Sequence, residues 1–256
     1  MKPVKVVKIG GRLMGAAEKL QDFLADFAAL EGPKILVHGG GPKATELSLT
    51  LGIEPQMYHG RRITGDEDLE VAVMVYAGLL NKQMVAMLQA LGNDALGLTG
   101  ADAGLIRARK RPVKEVDFGW VGDVEEIRTG KLSQLLACGL VPVFNAITHD
   151  GRGQLLNTNA DTVAAALAVA MAERMPVELI YVFDKEGVFG DLAQQKPVER
   201  LSRTGYQLLK EQNIIRDGMI PKIDNGFYAL ENGVRKVVIG GEKVLHAASR
   251  YTELVL

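Results

Sequence analysis

Short apolar runs that alternate with helical periodicity are the feature that most limits what this 256-residue chain can fold into. Runs rich in Val, Ile and Leu predict strands that are buried on both faces. Amphipathic segments between them predict covering helices, so we expect a three-layer α/β/α sandwich around a mainly parallel open sheet. The predicted strands are residues 4–9, 34–37, 95–98, 140–144, 179–183 and 236–239, the last of these being the final strand.

The remaining patterning indicates two lobes that share this sheet. Helical periodicity covers residues 17–30, 42–51, 66–91, 159–175 and 220–232. Residues 106–127 alternate apolar and charged side chains, which predicts solvent-facing β-hairpins. We expect one lobe over residues 1–173 and a smaller α/β lobe over residues 174–256.

Composition and missing motifs exclude several classes of function. The formal net charge of −1 provides no basic field for nucleic acid or an anionic membrane, so we expect neither as a partner. The uninterrupted apolar stretches are shorter than a membrane span, and no signal-peptide pattern opens the sequence, so we expect a cytoplasmic protein. Neither the G-x-x-x-x-G-K-[ST] nor the G-x-S-x-G motif occurs.

Cysteine and histidine usage argues against a metal site. Cys138 is the one cysteine, which excludes an internal disulfide, and we expect it to be a small buried apolar group. The histidines lack the spacing of metal ligands, and we interpret them as structural. They are His38, His59, His149 and His246.

A glycine-rich loop follows the second predicted strand. Residues 38–43 read His-Gly-Gly-Gly-Pro-Lys and lie between an apolar run and a helical pattern. Glycines there let the backbone approach a ligand where a Cβ would clash. The N–H groups at the start of the following helix then face an anion. The loop therefore predicts a site for a phosphate group.

Charged residues lie beside glycines in three other segments. Lys8 lies near the end of an apolar strand, just before Gly10 and Gly11, so burial requires a partner or a ligand for its ammonium group. Lys222 falls in the first turn of a helix, where a cation is disfavoured unless an anion is present. Asp161, which fits the first turn of another helix, can hold lysine ammonium groups in place.

Polar residues that suit a carboxylate or an amide lie in two of the remaining segments. Of the adjacent Arg61 and Arg62, one can be solvated while the other forks onto a carboxylate. Asn157 can orient a substrate amide or carboxylate, and Asn159 or Thr158 can cap the helix that follows.

Taken in order, these segments resemble the amino acid kinase family. The segments are K-I-G-G (8–11), H-G-G-G-P (38–42), G-R-R-I-T (60–64), N-T-N-A-D (157–161) and G-M-I-P-K (218–222). The resemblance implies an enzyme that transfers the γ-phosphoryl group of ATP, with Mg²⁺, to the side-chain carboxylate of N-acetylglutamate in arginine biosynthesis. It also implies an acyl-amino-acid lobe, a nucleotide lobe and a homodimer. No long helix precedes residue 4, so we expect no arginine feedback.

The resemblance assigns roles at matching positions. Lys8 and Lys222 would stabilise the transferring phosphoryl group, and Asp161 would organise them. No residue is assigned to a metal. The residues assigned to the acylated amino acid are Gly40, Gly41, Arg62, Asn157 and Asn159. Those assigned to the nucleotide are Gly10, Gly11, Phe183, Asp184 and Gly218.

Three alternatives stay open at this point. The same reaction on N-succinylglutamate differs in the acyl group alone. A sensor that binds an acylated amino acid or nucleotide without turnover would not need both lysines. A dinucleotide-dependent oxidoreductase would fit residues 39–44 as G-x-G-x-x-A, but it needs a second strand that ends in an acid about 20 residues on. The nearest candidate, Glu54, lies in a short segment broken by Pro55.

Overall fold

This computed structural model describes residues 2–58, 61–190, 196–216, 218–246 and 248–256. Strands and helices alternate in its first part. The elements there are β1 (Val4–Ile9), α1 (Gly11–Met14), α2 (Ala17–Ala29), β2 (Lys34–His38), α3 (Gly41–Thr50), β3 (Met57–Tyr58), β4 (Arg61–Arg62), α4 (Asp66–Ala72), a π-helical stretch (Val73–Leu80), α5 (Asn81–Ala90), β5 (Ala95–Leu98), a 3₁₀ turn (Asp102–Gly104), β6 (Ile106–Lys110) and β7 (Gly122–Ile127).

The second part of the chain continues this alternation. Its elements are α6 (Thr129–Ala137), β8 (Val141–Phe144), β9 (Ile147–His149), β10 (Leu155–Asn157), α7 (Ala160–Ala172), β11 (Val177–Val182), β12 (Arg200–Ser202), α8 (Arg203–Glu211), α9 (Met219–Glu231), β13 (Lys236–Gly240) and β14 (Tyr251–Val255).

A large sheet runs through the described part of the chain in the order β12-β14-β13-β11-β1-β2-β8-β5. From β13 to β5 all neighbouring strands pair in parallel. The central strands are buried along almost their whole length, since helices cover both faces. The predicted mainly parallel α/β fold is confirmed, and strands from both predicted lobes lie in this one sheet.

A smaller sheet has the order β10-β9-β6-β7. β6 and β7 come from the segment predicted as hairpins, whereas β9 and β10 lie outside it and were not predicted as strands. β6 and β7 pair antiparallel, and β6 alternates buried with exposed residues, as the sequence pattern indicated. A bulge between Arg107 and Ala108 shifts the register. Two isolated backbone bridges lie beside this sheet: Thr64 pairs with Gly119, and Val121, just before β7, pairs with Asn157 of β10.

The prediction that residues 236–239 form the last strand is wrong. β14 follows and runs antiparallel to β13. Thr252 and Leu254 are buried while the residues on either side are half-buried, so β14 lacks the continuous apolar run that identified the other strands. The prediction for Cys138 is also wrong, because Cys138 is exposed where the chain leaves the end of α6.

The predicted helix over residues 66–91 is present but contains the π-helical stretch in its middle. The whole segment Asp66–Ala90 has 25 residues and a mean hydropathy of 1.5 in its most apolar window, so by length and composition it is able to cross a membrane. This result differs from the expectation that every apolar stretch is shorter than a membrane span, which considered uninterrupted apolar runs alone. Because 44% of that window is buried inside the protein, the figures equally fit a core helix.

Candidate active site

The carboxyl ends of three adjacent parallel strands bring the predicted loops together. In the sheet, Ile9 at the end of β1 pairs with His38 of β2 on one side and with Val182 of β11 on the other. The glycines after β1, the glycines after β2 and the Phe183-Asp184 pair after β11 therefore leave the sheet side by side. Ligand sites in open α/β sheets lie at this edge.

Two lysines from distant segments meet at one buried carboxylate. The Lys8 Nζ lies 2.7 Å from Asp161 Oδ1, and the Lys222 Nζ lies 2.8 Å from Asp161 Oδ2. All three residues are only 6% exposed. Lys8 is held by strand β1, Asp161 by the first turn of α7 and Lys222 by the first turn of α9. The structure thus places two ammonium groups on the two oxygens of a single aspartate.

The electrostatics of this triad are set by burial and by mutual contact. Burial lowers the pKa of Lys8 to about 8, and the positive charge of Lys222 acts in the same direction, while Asp161 opposes the shift. Burial disfavours the ionised form of Asp161, but the two lysines outweigh it and lower the pKa of its carboxyl group. One negative charge therefore faces two positive ones, and the pocket has an excess of positive charge for an incoming anion.

One glycine in each loop, Gly11 and Gly40, has no room for a side chain. A Cβ on Gly11 would lie 2.6 Å from the Pro42 Cδ, and a Cβ on Gly40 would lie 2.4 Å from the Tyr76 ring. Gly41 is the first residue of α3, whose first N–H groups have no acceptor within the helix. A ligand at this point meets backbone donors rather than side chains.

The residues predicted to bind an acylated amino acid lie on the side of the small sheet. Arg62 donates from Nη2 to the Gly41 carbonyl oxygen (3.3 Å) and to Thr45 Oγ1 (2.6 Å), so its guanidinium is fixed beside the glycine loop. The Asn157 Nδ2 donates to Thr64 Oγ1 at 3.1 Å.

Asn159 has a structural task in the same segment. Its Oδ1 accepts hydrogen bonds from the backbone N–H groups of Asp161 (2.8 Å) and Thr162 (3.2 Å), so Asn159 caps α7 as the sequence suggested. This cap fixes the helix turn that carries Asp161. The role of Asn159 in binding a substrate stays a prediction.

A cavity of about 1170 Å³ opens on the other side of the lysines. Its walls include every residue predicted to bind a nucleotide, together with both lysines: Lys8, Gly10, Gly11, Phe183, Asp184, Gly218 and Lys222. The Lys222 Nζ also lies 5.7 Å from the centre of the Phe183 ring. The volume suits a ligand of nucleotide size.

Sequence reasoning missed several residues that shape the site. Thr45 and Thr64 hold Arg62 and Asn157 in place, and Tyr76 packs behind Gly40. A tyrosine within the apolar run of the long helix could have indicated a functional position. The direction in which the Tyr76 side chain points, however, depends on the π-helical stretch. His59 and Gly60, the latter part of the Gly-Arg-Arg-Ile-Thr motif, lie outside the described residues.

No group of three or more His, Cys, Asp or Glu side chains able to hold a metal ion occurs in the described part of the chain. The acidic residue at the centre, Asp161, is already engaged by two lysines. A divalent cation at this site would therefore be held chiefly by the ligand that carries it, as Mg²⁺ commonly is by phosphate oxygens.

Comparison with known proteins agrees with this geometry. A model of the amino acid kinase family matches residues 3–241. The acetylglutamate kinase of Parabacteroides distasonis is 48% identical over 247 residues, which cover 96% of this chain and 97% of that protein. The acetylglutamate kinase of Phocaeicola vulgatus is 50% identical over 235 residues, which cover 91% of each chain.

Among solved structures, the N-acetylglutamate synthase from Neisseria gonorrhoeae complexed with coenzyme A and N-acetyl-glutamate has a TM-score of 0.85. The sequences are 22% identical, and the match covers 99% of this chain but 59% of the synthase. At this identity the likeness concerns the fold, which the synthase shares over about three fifths of its length.

Proposed function

Because this chain belongs to the amino acid kinase family, we propose that it transfers the γ-phosphoryl group of ATP to the side-chain carboxylate of N-acetylglutamate. The products are an acyl phosphate for arginine biosynthesis and ADP. We also propose that it acts in the cytoplasm, which suits a chain with one cysteine and no disulfide.

One observation carries this proposal: two buried lysines from distant segments bind the two oxygens of Asp161, at the sheet edge where the glycine loops meet. A sensor needs affinity for its ligand, but it has no need for two cations focused on one point. A phosphotransferase needs that focus, because negative charge on the phosphoryl oxygens must be stabilised during transfer.

The reaction needs no general base. A glutamate side chain has an unperturbed pKa of about 4.3, so the attacking carboxylate is ionised at neutral pH. Its oxygen forms a bond to the γ-phosphorus while the bond from that phosphorus to the β–γ bridging oxygen breaks, and ADP keeps the electron pair. The protein has to bring two anions into line and reduce their repulsion.

We assign these tasks to residues of both lobes. Lys8 and Lys222 balance charge on the transferring group, and Asp161 holds their ammonium groups at a fixed separation. Backbone N–H groups of Gly40 and Gly41 face the phosphoryl group from the other side. Arg62 and Asn157 bind the α-carboxylate and its neighbourhood.

The nucleotide side of the site is assigned to the large cavity. We propose that ATP occupies it, with Gly10 and Gly11 near its phosphates, Phe183 and Asp184 beside the nucleoside, and Gly218 over the phosphates. Mg²⁺ would come with the nucleotide and supply further charge neutralisation of the phosphates. The lack of a three-residue ligand cluster in the described ranges is compatible with this arrangement.

An ADP-release assay with ATP-Mg²⁺ tests the proposal directly. We expect release that depends on N-acetylglutamate, and trapping of the product by hydroxylamine as a hydroxamate, because acyl phosphates react with that nucleophile. Parallel reactions with N-succinylglutamate and free glutamate determine the acyl group from kcat/KM. A higher kcat/KM for N-succinylglutamate would replace the proposed substrate by that compound.

Two further results would contradict the enzyme class. Binding of an acylated glutamate without any ADP release would favour a sensor. Reduction of NAD by a candidate substrate would favour an oxidoreductase.

We further propose that the protein is a homodimer that associates through the segment Asp66–Ala90. Met74 and Leu79 on this segment are 51% and 43% exposed, although the segment is strongly apolar. Next to Met74 lies a cavity of about 520 Å³ lined mainly by apolar residues, among them Leu69, Val73 and Leu155. Exposed apolar surface of this kind is typical of an interface between copies.

Light scattering on the purified protein tests the dimer. We expect the mass of two chains for the wild type and a shift to monomer for Met74→Glu, since a charge would be buried in the contact. Leu208→Glu is the matched control, because Leu208 is similarly exposed at 53% but lies on α8. A stable hexamer would contradict the homodimer, and a Met74→Glu variant that remains fully dimeric would contradict the proposed interface.

A further inference from the structure

A buried polar network lies behind the glycine loop and takes no direct part in the proposed chemistry. His38, the last residue of β2, is 0% exposed, and Asn81, the first residue of α5, is 1% exposed. The His38 Nδ1 lies 2.7 Å from the Gly39 carbonyl oxygen. The Asn81 Nδ2 lies 3.1 Å from His38 Nε2 and 2.9 Å from the Val143 carbonyl oxygen.

These contacts fix which nitrogen of His38 carries its proton. The amide nitrogen of Asn81 donates one hydrogen to the Val143 oxygen and the other to His38 Nε2, which must therefore be unprotonated. The proton is then on Nδ1, where it is donated to the Gly39 oxygen. Burial lowers the pKa of His38 to about 4, and nearby Lys8 adds to this effect, so the ring is neutral at neutral pH.

A second contact reaches the loop from the same helical segment. A Cβ on Gly40 would lie 2.4 and 2.6 Å from atoms of the Tyr76 ring, so this ring supports the Gly40 backbone directly. The Tyr76 hydroxyl also interacts with Arg62, which donates to the Gly41 oxygen. Tyr76 thus contacts both the loop and the arginine assigned to the substrate.

The π-helical stretch explains how Tyr76 and Asn81 reach the same loop. In an α-helix of 3.6 residues per turn, side chains five positions apart point about 140° away from each other. Here the Asn81 backbone N–H donates to the Tyr76 carbonyl oxygen, an i→i+5 bond of the wider π turn. Residues five apart are then neighbours on one face.

Gly97 on strand β5 leaves the space that the Asn81 amide occupies. A Cβ on Gly97 of β5 would lie 2.0 Å from Asn81 Oδ1, so only glycine fits there. The position of the Asn81 amide is therefore supported by three features: its polar contacts, the π turn before it and the space left by Gly97. A purely apolar contact between α5 and the sheet would need none of the three.

We propose that His38, Asn81 and Tyr76 are positioning residues, which hold the Gly39 carbonyl and the Gly40 backbone so that the loop N–H groups point at the phosphoryl group. The π-helical stretch lets Tyr76 lie against Gly40 while Asn81 lies against His38. This inference rests on the proposed phosphotransfer. None of the three side chains has to touch a substrate, because His38 and Tyr76 act through the backbone of the loop and Asn81 acts through His38.

Substitution of Asn81 and His38 tests the inference through kinetics. We expect Asn81→Leu to lower kcat about 10- to 100-fold, because loss of alignment at the reacting centre costs rate on that scale. KM for ATP should stay within about twofold, since the nucleotide cavity is lined by other residues. Gln89→Leu is the matched control, because Gln89 also donates from α5 to a strand carbonyl, that of Ala95, away from the loop.

A rescue pair separates positioning from packing. His38→Asn keeps a donor at the place of Nδ1, whereas His38→Leu fills similar space without one. We expect the Asn variant to retain at least about 10-fold more kcat than the Leu variant, in keeping with the rate lost when alignment fails. Equal kcat for the two, or an unchanged kcat in a folded Asn81→Leu protein, would overturn the inference.

An NMR measurement gives a readout that does not depend on turnover. With ¹⁵N-labelled histidine, we expect the wild-type His38 ring to be neutral and protonated on Nδ1 at neutral pH, and to change tautomer or mobility in Asn81→Leu. A ring protonated on Nε2 in the wild type would overturn the inference. If the wild type released no ADP with any acylated glutamate, the proposed function would fail, whereas these ring signals would still test the contacts.

Discussion

Replacing Lys8 with methionine will lower kcat/KM about 100- to 1000-fold, the scale of losing one preorganised donor to a developing negative charge, about 3–4 kcal/mol. Methionine keeps most of the apolar stem of lysine and removes the ammonium group. The fold should survive, because Asp161 keeps its contact with Lys222. Steady-state kinetics together with thermal unfolding measures both effects.

Lys8→Arg should fail almost as badly as Lys8→Met. Arginine keeps the charge but presents a planar fork, which cannot enter the space where the ammonium group lies 2.7 Å from Asp161. Lys5→Met is the matched control, since Lys5 lies on the same strand three residues earlier and outside the site. A Lys8→Met variant that keeps more than about a tenth of wild-type kcat/KM would contradict the assigned role, since the loss of one such donor typically lowers the rate at least about 100-fold.

The same lysine predicts how activity depends on pH. In its proposed role Lys8 stabilises the phosphoryl group only when it is protonated, and burial lowers its pKa to about 8 in the free protein. The value of kcat/KM should therefore fall as the pH rises through about 8. The profile of kcat should extend to higher pH, because bound phosphates favour the charged form of the lysine.

Asp161→Asn will affect stability as well as activity. It leaves two buried ammonium groups close together without a counter-charge, and breaking a buried ion pair in this way costs about 3–5 kcal/mol. For a chain of this size that corresponds to a Tm lower by roughly 10 °C. We expect kcat to fall at least about 100-fold, since both lysines lose their fixed separation.

The stability deficit of Asp161→Asn should shrink as pH rises. Without the carboxylate the pKa of Lys8 falls below its value of about 8, while in the unfolded chain it stays near 10.5. Below about pH 8 the unfolded variant binds more protons than its folded state, whereas wild-type Lys8 is protonated in both states, so the deficit shrinks as the pH rises toward about 8 and is constant above it. Thermal unfolding at several pH values measures this, with exposed Asp22→Asn as the control. A deficit that grew with pH would contradict the assigned charges.

Much of the site could be predicted because its chemistry conflicts with its surroundings. Lys8 lies in an otherwise apolar strand, and Lys222 lies in the first turn of a helix, so each needed a buried anion nearby. That reasoning identified Asp161 as the partner, and the structure has both contacts. The parallel sheet then follows from continuous apolar strands that alternate with helices.

Other features could not be predicted because the usual periodicities do not describe them. The directions of Tyr76 and Asn81 depend on a π-helical stretch, and a period of 3.6 residues places them on different faces. β14 alternates buried and half-buried residues and lacks the apolar run by which the other strands were recognised. Cys138 follows the last turn of α6 and lies between the exposed residues Ala137 and Gly139, although its residue type is usually buried.

Strand β1 lies between β2 of the first predicted lobe and β11 of the second, so the site is built where the two lobes join. With the predicted boundary at residue 173, Lys8 and Asp161 lie in the first lobe and Lys222 lies in the second. A rotation of one lobe against the other would leave the Lys8–Asp161 pair intact and would separate Lys222 from Asp161. We therefore expect the Lys222–Asp161 contact to depend on how the two predicted lobes are aligned, whereas the Lys8–Asp161 contact lies within the first lobe and does not.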